Sequence, residues 1–219
     1  MTYLADNILC PLCNQGAARL FFKDDCRDYF QCGYCRLVFV PKSHWLSRDD
    51  EKAVYDLHEN NELDRGYRRF LSRLAKPMLE RLPPHQKGLD FGCGPGPALS
   101  VILEEAGHQV SLYDPFYFNH PSLLEQTYDF ITATEVVEHL HHPARVFTSL
   151  FEQLNPGGWL GVMTKQVIDQ QAFATWHYIR DLTHICFYSQ PTFEYIARKF
   201  KADLFFEGND VILFNKRQE

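Results

Sequence analysis

Gly88-Leu89-Asp90-Phe91-Gly92-Cys93-Gly94-Pro95-Gly96 is the stretch that decides the fold. A short apolar run ends in a turn with glycine at every second position, and residues 98–106 follow with helical character. Glycines so spaced let the backbone turn tightly and come close to a ligand, because no Cβ intervenes. The helix start behind them presents N–H groups that no carbonyl of the helix can reach. The strand-like run 108–113 comes next and leads to Asp114, 22 residues beyond Gly92. A carboxylate at that distance is where a nucleotide-binding βαβ unit meets ribose hydroxyls. The stretch therefore predicts an α/β domain that holds a nucleoside-bearing cofactor.

Three further motifs follow in order: Tyr128-Asp129-Phe130-Ile131-Thr132-Ala133, then Glu135-Val136-Val137-Glu138-His139-Leu140 with Pro143, then Leu154-Asn155-Pro156-Gly157-Gly158. With Asp90 ahead of its glycines, the opening stretch resembles motif I of the class I S-adenosylmethionine (SAM) methyltransferases, D-x-G-x-G-x-G. The later three resemble that family's fourth strand, its E-V-x-E-H-x-x-x-P segment and its L-x-P-G-G turn. The resemblance runs over residues 88–216. It implies a Rossmann-like sheet, mostly parallel with one antiparallel strand, and a transferase whose cofactor is SAM. It places Gly92, Cys93, Gly94 and Gly96 in the cofactor loop, with Asp90 fixing that loop and Asp114 on the ribose. Thr134 and Glu135 complete the cofactor set at the end of the fourth strand. One departure stands out. Only fourteen residues separate Asp114 from Asp129, too few for the family's third strand and helix. Residues 115–126 are read as an irregular crossover, and no adenine contact is assigned.

The chain has 219 residues and a net charge of −6, enough for one sizeable domain plus a small appendage and without global attraction for nucleic acid. No apolar run approaches the roughly 20 residues that span a bilayer. Met1 to Asp6 lack a basic region and an apolar core, so a cytoplasmic location is expected. Seven cysteines in that setting point to reduced thiols and metal.

Cys10-Pro11-Leu12-Cys13 and Cys32-Gly33-Tyr34-Cys35 are two C-x2-C pairs with eighteen residues between them. Each pair can deliver two thiolates to one tetrahedral ion, so a structural zinc site on Cys10, Cys13, Cys32 and Cys35 is expected. The ion would replace the apolar core that about 40 residues cannot build. Strand-like runs flank the knuckles at 19–23, 29–31 and 37–40. The whole resembles the zinc-ribbon leader of some bacterial methyltransferases, a feature shared by enzymes acting on ribosomal RNA and on sugars or secondary metabolites. The expected organisation is a ribbon over 1–42, a helical bridge or lid over 43–84 and the methyltransferase domain over 85–219. In the bridge, Ser47 reads as an N-cap for a helix over 49–59, and apolar spacing predicts a second helix over 67–82. Tyr55, His58 and Tyr67 are candidate lid residues, with a partly buried helix surface as the plain alternative.

Methyl transfer from a sulfonium is an in-line displacement, so the protein must mainly align the reactants. Glu135, Glu138 and His139 follow the fourth strand at the edge where open α/β sheets bind ligands. Glu138, His139 and the distant His184 are the candidate catalytic residues. Three roles stand side by side: a substrate-pocket or general-base role with an orienting partner; with Glu135, a site for Mg²⁺ or a similar divalent ion; or a structural role, with Glu135 capping a helix and a satisfied histidine. The E-x-x-E-H piece with a later histidine resembles small-RNA 2′-O-methyltransferases and ubiquinone-pathway O-methyltransferases. Arg180 is a candidate for an anionic substrate group or for an ion pair with Asp181 or Glu138. His120, His141 and His142 read as exposed loop residues. Ser189 should cap a helix over 192–200, and runs at 203–207 and 211–215 should form a hairpin around Gly208-Asn209-Asp210. The acceptor expected first is a small molecule in a bacterial biosynthetic or modification pathway. RNA grasped by basic ribbon residues (Arg19, Lys23, Arg27, Arg36, Lys42) is the second reading, and a non-catalytic SAM-binding scaffold the third.

Overall fold

The computed structural model describes residues 8–16, 18–57 and 61–218. His58 lies outside the described residues. Near the N-terminus three strands, β1 (Ala18–Lys23), β2 (Asp28–Cys32) and β3 (Val38–Phe39), form an antiparallel sheet. The bridge carries two helices, α1 (Arg48–Tyr55) and α2 (Arg65–Leu79). Ser47 Oγ accepts from Asp50 N at the start of α1, and Asp64 Oδ1 caps α2 through Tyr67 N. Both are ordinary N-caps; α1 ends at Tyr55, before the expected 59, and α2 at Leu79, before the 82 its apolar spacing suggested.

The main sheet has six strands: β4 (Lys87–Phe91), β5 (Gln109–Tyr113), β6 (Tyr128–Thr134), β7 (Leu154–Met163), β9 (Ala202–Glu207) and β10 (Val211–Lys216). Their spatial order is β5-β4-β6-β7-β10-β9. Pairing is parallel from β5 through β7, and β10 is the one strand that runs against the others. This is the expected mostly parallel α/β sheet. Among the described residues no strand lies beyond β5. The crossover 115–126 instead contains a short 3-10 turn, Pro121–Glu125, in agreement with the missing length after Asp114.

Helices cover both faces. Strand side chains alternate, so β10 sends Val211 and Leu213 to one side and Ile212 and Phe214 to the other. The first pair packs with Leu71, Leu74 and Met78 of α2 and with Leu99 and Leu103 of α3 (Ala98–Glu105). The second pair packs with Phe147 and Phe151 of α4 (Pro143–Gln153) and with Phe193 and Ile196 of α6 (Gln190–Lys199). Ser189 and Thr192 form a reciprocal cap at the start of α6. Gly161 on β7 has no side chain because a Cβ there would stand 2.8 Å from Met78 Sδ, so glycine lets α2 settle on the sheet.

Between β7 and α6 the chain makes α5 (Gln170–Ala174), a 3-10 turn (His177–Arg180) and β8 (Cys186–Phe187). β8 leaves the main sheet and pairs antiparallel with β3, Val38 opposite Phe187 and Phe39 opposite Cys186. The N-terminal sheet therefore has four strands, the last supplied from the far end of the chain. The four cysteines of the two pairs, Leu37 and Val38 share one continuous core with Tyr188 and Phe193.

Candidate active site

A cavity of about 960 Å³ opens at the carboxyl ends of β4, β5 and β6. Asp90, Gly92, Cys93, Gly94, Gly96, Asp114, Thr134, Glu135, His139 and His184 all line it. Its first half is shaped by backbone. Gly92 N and Cys93 N both donate to Tyr113 O, at 2.7 and 3.3 Å, tying the glycine turn to β5. Gly92 adopts φ +73° and Gly94 φ +64°, and a Cβ on Gly92 would lie 2.5 Å from Val136. Glycine is required there on both counts.

Asp90 is buried and accepts from Thr132 Oγ1 at 2.8 Å. Burial pushes its carboxyl up to about 6, against the opposing pull of that hydrogen bond. Asp114 accepts from Gly94 N (3.1 Å), Phe116 N (2.8 Å) and Tyr117 N (3.2 Å), so one carboxylate joins the glycine turn to the crossover. A carboxylate offers about four acceptor positions. Three go to backbone, which leaves capacity for a ribose hydroxyl.

Thr134 and Glu135 fit a polar ligand for a separate reason. Thr134 Oγ1 and Glu135 Oε1 are buried without a hydrogen-bond partner among the described residues. Buried polar atoms without partners are costly, and a bound polar group relieves the cost. Glu135 also holds φ +52°, in the left-handed region that favours glycine. Backbone strain of this kind is kept where the surroundings over-determine it. Together with the glycine cradle, these features fit a nucleoside-bearing cofactor.

The second half of the cavity is shaped by side chains. Val137–His139 form a 3-10 turn after β6. It sends His139 into the cavity and Glu138 away from the cavity lining. Glu138 is fully buried and accepts hydrogen bonds from Thr164 Oγ1 (3.0 Å) and from the Tyr178 hydroxyl. Burial, reinforced by the nearby Glu135, pushes its carboxyl up to about 8. His139 Nδ1 faces Thr183 O at 3.2 Å, and His184 Nδ1 faces Tyr178 O at 2.8 Å. A carbonyl can only accept, so each Nδ1 carries a proton. The two rings stand 4.7 Å apart, centre to centre, and Tyr55 meets His139 edge-on at 5.3 Å. The ligand atoms of Glu138, His139 and His184 lie within 4.8 Å of one another, and Glu135 stands outside that group.

Arg180 makes no ion pair with Asp181 or Glu138 among the described residues. Asp181 instead accepts from Thr183 N and Oγ1 and lies 3.7 Å from His184 Nε2. His141 and His142, read from sequence as exposed, line the cavity mouth, and His141 packs on Trp45 at 4.5 Å. Tyr55 and Tyr67 both line the cavity. Sequence reasoning did not single out Thr164, Arg48 or Glu51. Arg48 and Glu51 enter the lining from α1, and no local motif marks them.

The tetrad at the N-terminus is equally compact. All four cysteines are buried, with Cys10 Sγ and Cys35 Sγ 3.5 Å apart and Cys13 Sγ and Cys32 Sγ 3.5 Å apart. A tetrahedron of sulfurs about 2.3 Å from zinc has edges of about 3.8 Å. Four thiolates at this spacing fit one zinc ion and leave no position open for substrate.

The family model described as "Methyltransferase domain" matches residues 60–203, and the chain belongs to that family. No curated protein matches the sequence. Among solved structures, a Burkholderia thailandensis 1,6-didemethyltoxoflavin-N1-methyltransferase with bound 1,6-didemethyltoxoflavin and S-adenosylhomocysteine is similar in fold, with a TM-score of 0.52 at 12% identity, covering 84% of this chain and 96% of that one. An O-methyltransferase family protein from Burkholderia thailandensis gives 0.51 at 14% identity, and the match covers 77% of this chain but only 63% of that one. A methyltransferase in calicheamicin biosynthesis gives 0.50 at 13% identity, covering 78% and 59%. Among the described residues no helix is long and apolar enough to cross a membrane.

Proposed function

We propose that the protein transfers a methyl group from SAM to a small-molecule acceptor. The observation that carries this reading is the continuity of one cavity from the Gly92–Gly96 turn to His139 and His184. When bound, SAM supplies a methyl carbon activated by a sulfonium. Gly92, Gly94 and Gly96 would line its pocket with bare backbone, Asp114 would take ribose hydroxyls, and Thr134 and Glu135 would meet its polar groups. At the other end, His139 and His184 line the cavity where the acceptor would sit, and an imidazole in its neutral form can take a proton from an acceptor hydroxyl or amine. Glu138 acts behind them, because its carbonyl accepts from Ile185 N at 2.9 Å, next to His184. The protein as a methyltransferase with a resident structural zinc ion, working in the cytoplasm, is part of the same reading.

Proton handling suits the cluster better than Mg²⁺. Magnesium prefers a shell of oxygens, and this group offers two imidazoles and one carboxylate. Both Glu138 oxygens already accept hydrogen bonds from hydroxyls. A small acceptor is favoured over RNA by the state of the ribbon's basic residues. Arg27 is turned inward at 3% exposure, and Lys23 is paired with Asp28 at 2.6 Å. Arg19, Lys23, Arg36 and Lys42 are exposed.

Titration calorimetry tests the cofactor. SAM and S-adenosylhomocysteine should bind and NAD should not; the reverse pattern defeats the proposal. Incubation with labelled SAM and cell extract tests the acceptor. Label in a small-molecule fraction that survives RNase is expected, and label lost with RNase would move the acceptor to RNA.

A further inference from the structure

Arg27 sits in the turn between β1 and β2, and its guanidinium is spent on a segment more than 150 residues away. Nη1 donates to Leu182 O and His184 O, each at 3.0 Å, and Nη2 donates to Ile179 O (2.6 Å) and Asp181 O (3.1 Å). Nε donates to the Tyr29 hydroxyl at 3.2 Å, which donates in turn to Asp24 Oδ2 at 2.7 Å. Asp24 Oδ1 accepts from Arg27 N at 2.6 Å, which fixes the turn itself. Its carboxyl is held below the ordinary range by the Tyr29 and backbone hydrogen bonds, which outweigh partial burial.

A buried guanidinium needs partners for all its N–H groups, and a buried loop needs donors for its carbonyls. Here each need meets the other. Four carbonyls of the 179–184 loop converge on one planar fork, a geometry that lysine cannot reproduce. The loop has firm anchors on either side. Tyr178 precedes it and is bonded to Glu138, and Val40 N donates to Ile185 O at 2.9 Å just after it. Between those anchors, Arg27 holds four carbonyls of the backbone that carries Asp181 and His184 into the cavity, and His139 Nδ1 holds a fifth, Thr183 O.

We propose that Arg27 is a positioning residue for the reaction, by which the N-terminal ribbon holds the 179–184 loop and the His184 imidazole in register with the cavity. The ribbon is on this account a working part of the acceptor site. The inference rests on the methyltransferase reading for what His184 faces, and on the hydrogen bonds above for how it is held.

The test compares the full-length, zinc-loaded parent with Arg27→Lys and Arg27→Ala. Bound zinc and S-adenosylhomocysteine affinity are measured beside hydrogen exchange of the 179–185 amides and the ¹⁵N spectrum of the His184 ring. Loss of these hydrogen bonds to a charged group should speed exchange in the loop by about tenfold or more. In Arg27→Lys, zinc content should match the parent and affinity for S-adenosylhomocysteine should stay within about twofold. The His184 signals should move from a single Nδ1–H form to a mixture of tautomers. A His184 spectrum and loop exchange like the parent's in Arg27→Lys would overturn the inference. So would loss of zinc in Arg27→Lys, since Arg27 would then act by folding the ribbon. Should Arg27→Ala fail to fold, the lysine variant decides. Failure of the parent to bind S-adenosylhomocysteine would strike the methyltransferase reading, and the ring spectra would still report on Arg27.

Discussion

The two ends of the cavity are built on different principles. The glycine end is backbone: one contiguous turn, held by N–H groups and by torsions that only glycine adopts easily. The histidine end is side chains drawn from separate places, with Tyr55 from α1, His139 after β6 and His184 after the His177–Arg180 turn, each oriented by something behind it. Backbone sites tolerate drift in neighbouring side chains but not in their own glycines. Side-chain sites depend on a support network that extends well beyond the cavity wall. On this comparison the donor end would be generic to the fold, and the acceptor end would be where one enzyme differs from another.

The sharpest break between the halves should come from the histidines. Replacing His139 or His184 with glutamine should lower methyl transfer by about 10²–10⁴-fold, the usual range for loss of a general base. S-adenosylhomocysteine affinity should stay within about twofold by calorimetry. Gly92→Ala should do the opposite. The forced φ and the approach to Val136 should weaken S-adenosylhomocysteine binding by about 100-fold, on the order of 3 kcal/mol, while the His139 and His184 ring spectra stay unchanged.

Glu138 probes the support network through pH. Its folded pKa is raised to about 8 above an ordinary unfolded carboxyl, so the native state holds the extra proton across that interval. Stability from this group is therefore present at low pH and is lost as pH rises toward and past 8. Glu138→Gln removes that loss. Between pH 6 and pH 9 the parent should lose about 3–6 °C more in Tm than the variant, corresponding to about 1–2 kcal/mol. Glu135, also raised by burial, would leave a residual slope of the same sign in the variant. The smallest effect belongs to the crossover. Tyr117 donates to Asp56 Oδ1 at 2.8 Å, joining the crossover to the C-terminal end of α1. Tyr117→Phe should cost about threefold in cofactor affinity, the scale of one exposed hydrogen bond, with unaltered turnover at saturation.

Legibility in the sequence follows the same division. The glycine turn, Asp114 and the strand alternation are local signals, and each predicted element among them lies in its expected place. Even the absent strand after β5 was legible, because fourteen residues cannot hold a strand and a helix. The histidine end was legible only as residue types. That Glu138 turns into the core, with Thr164 and Tyr178 as its donors, depends on pairings across β6 and β7 that no spacing rule specifies. Arg27 had the opposite fate. From sequence it belonged to a basic set suited to RNA, and only the fold reveals that its charge is consumed internally. Likewise, the two-residue strand β8 is too short for any period to mark it.

That short strand has a consequence for synthesis. Translation runs from the N-terminus, so the cysteine knuckles and β3 leave the ribosome early, while Cys186 and Phe187 follow almost 150 residues later. At about 5–20 residues per second, the delay is roughly 7–30 s. Throughout it, the edge of β3 has no partner strand, and Arg27 has none of the carbonyls it will hold. An open edge is a template for wrong pairing, and contacts so distant in sequence form late in folding. Until residue 186 has been made, that edge stays open to wrong pairing.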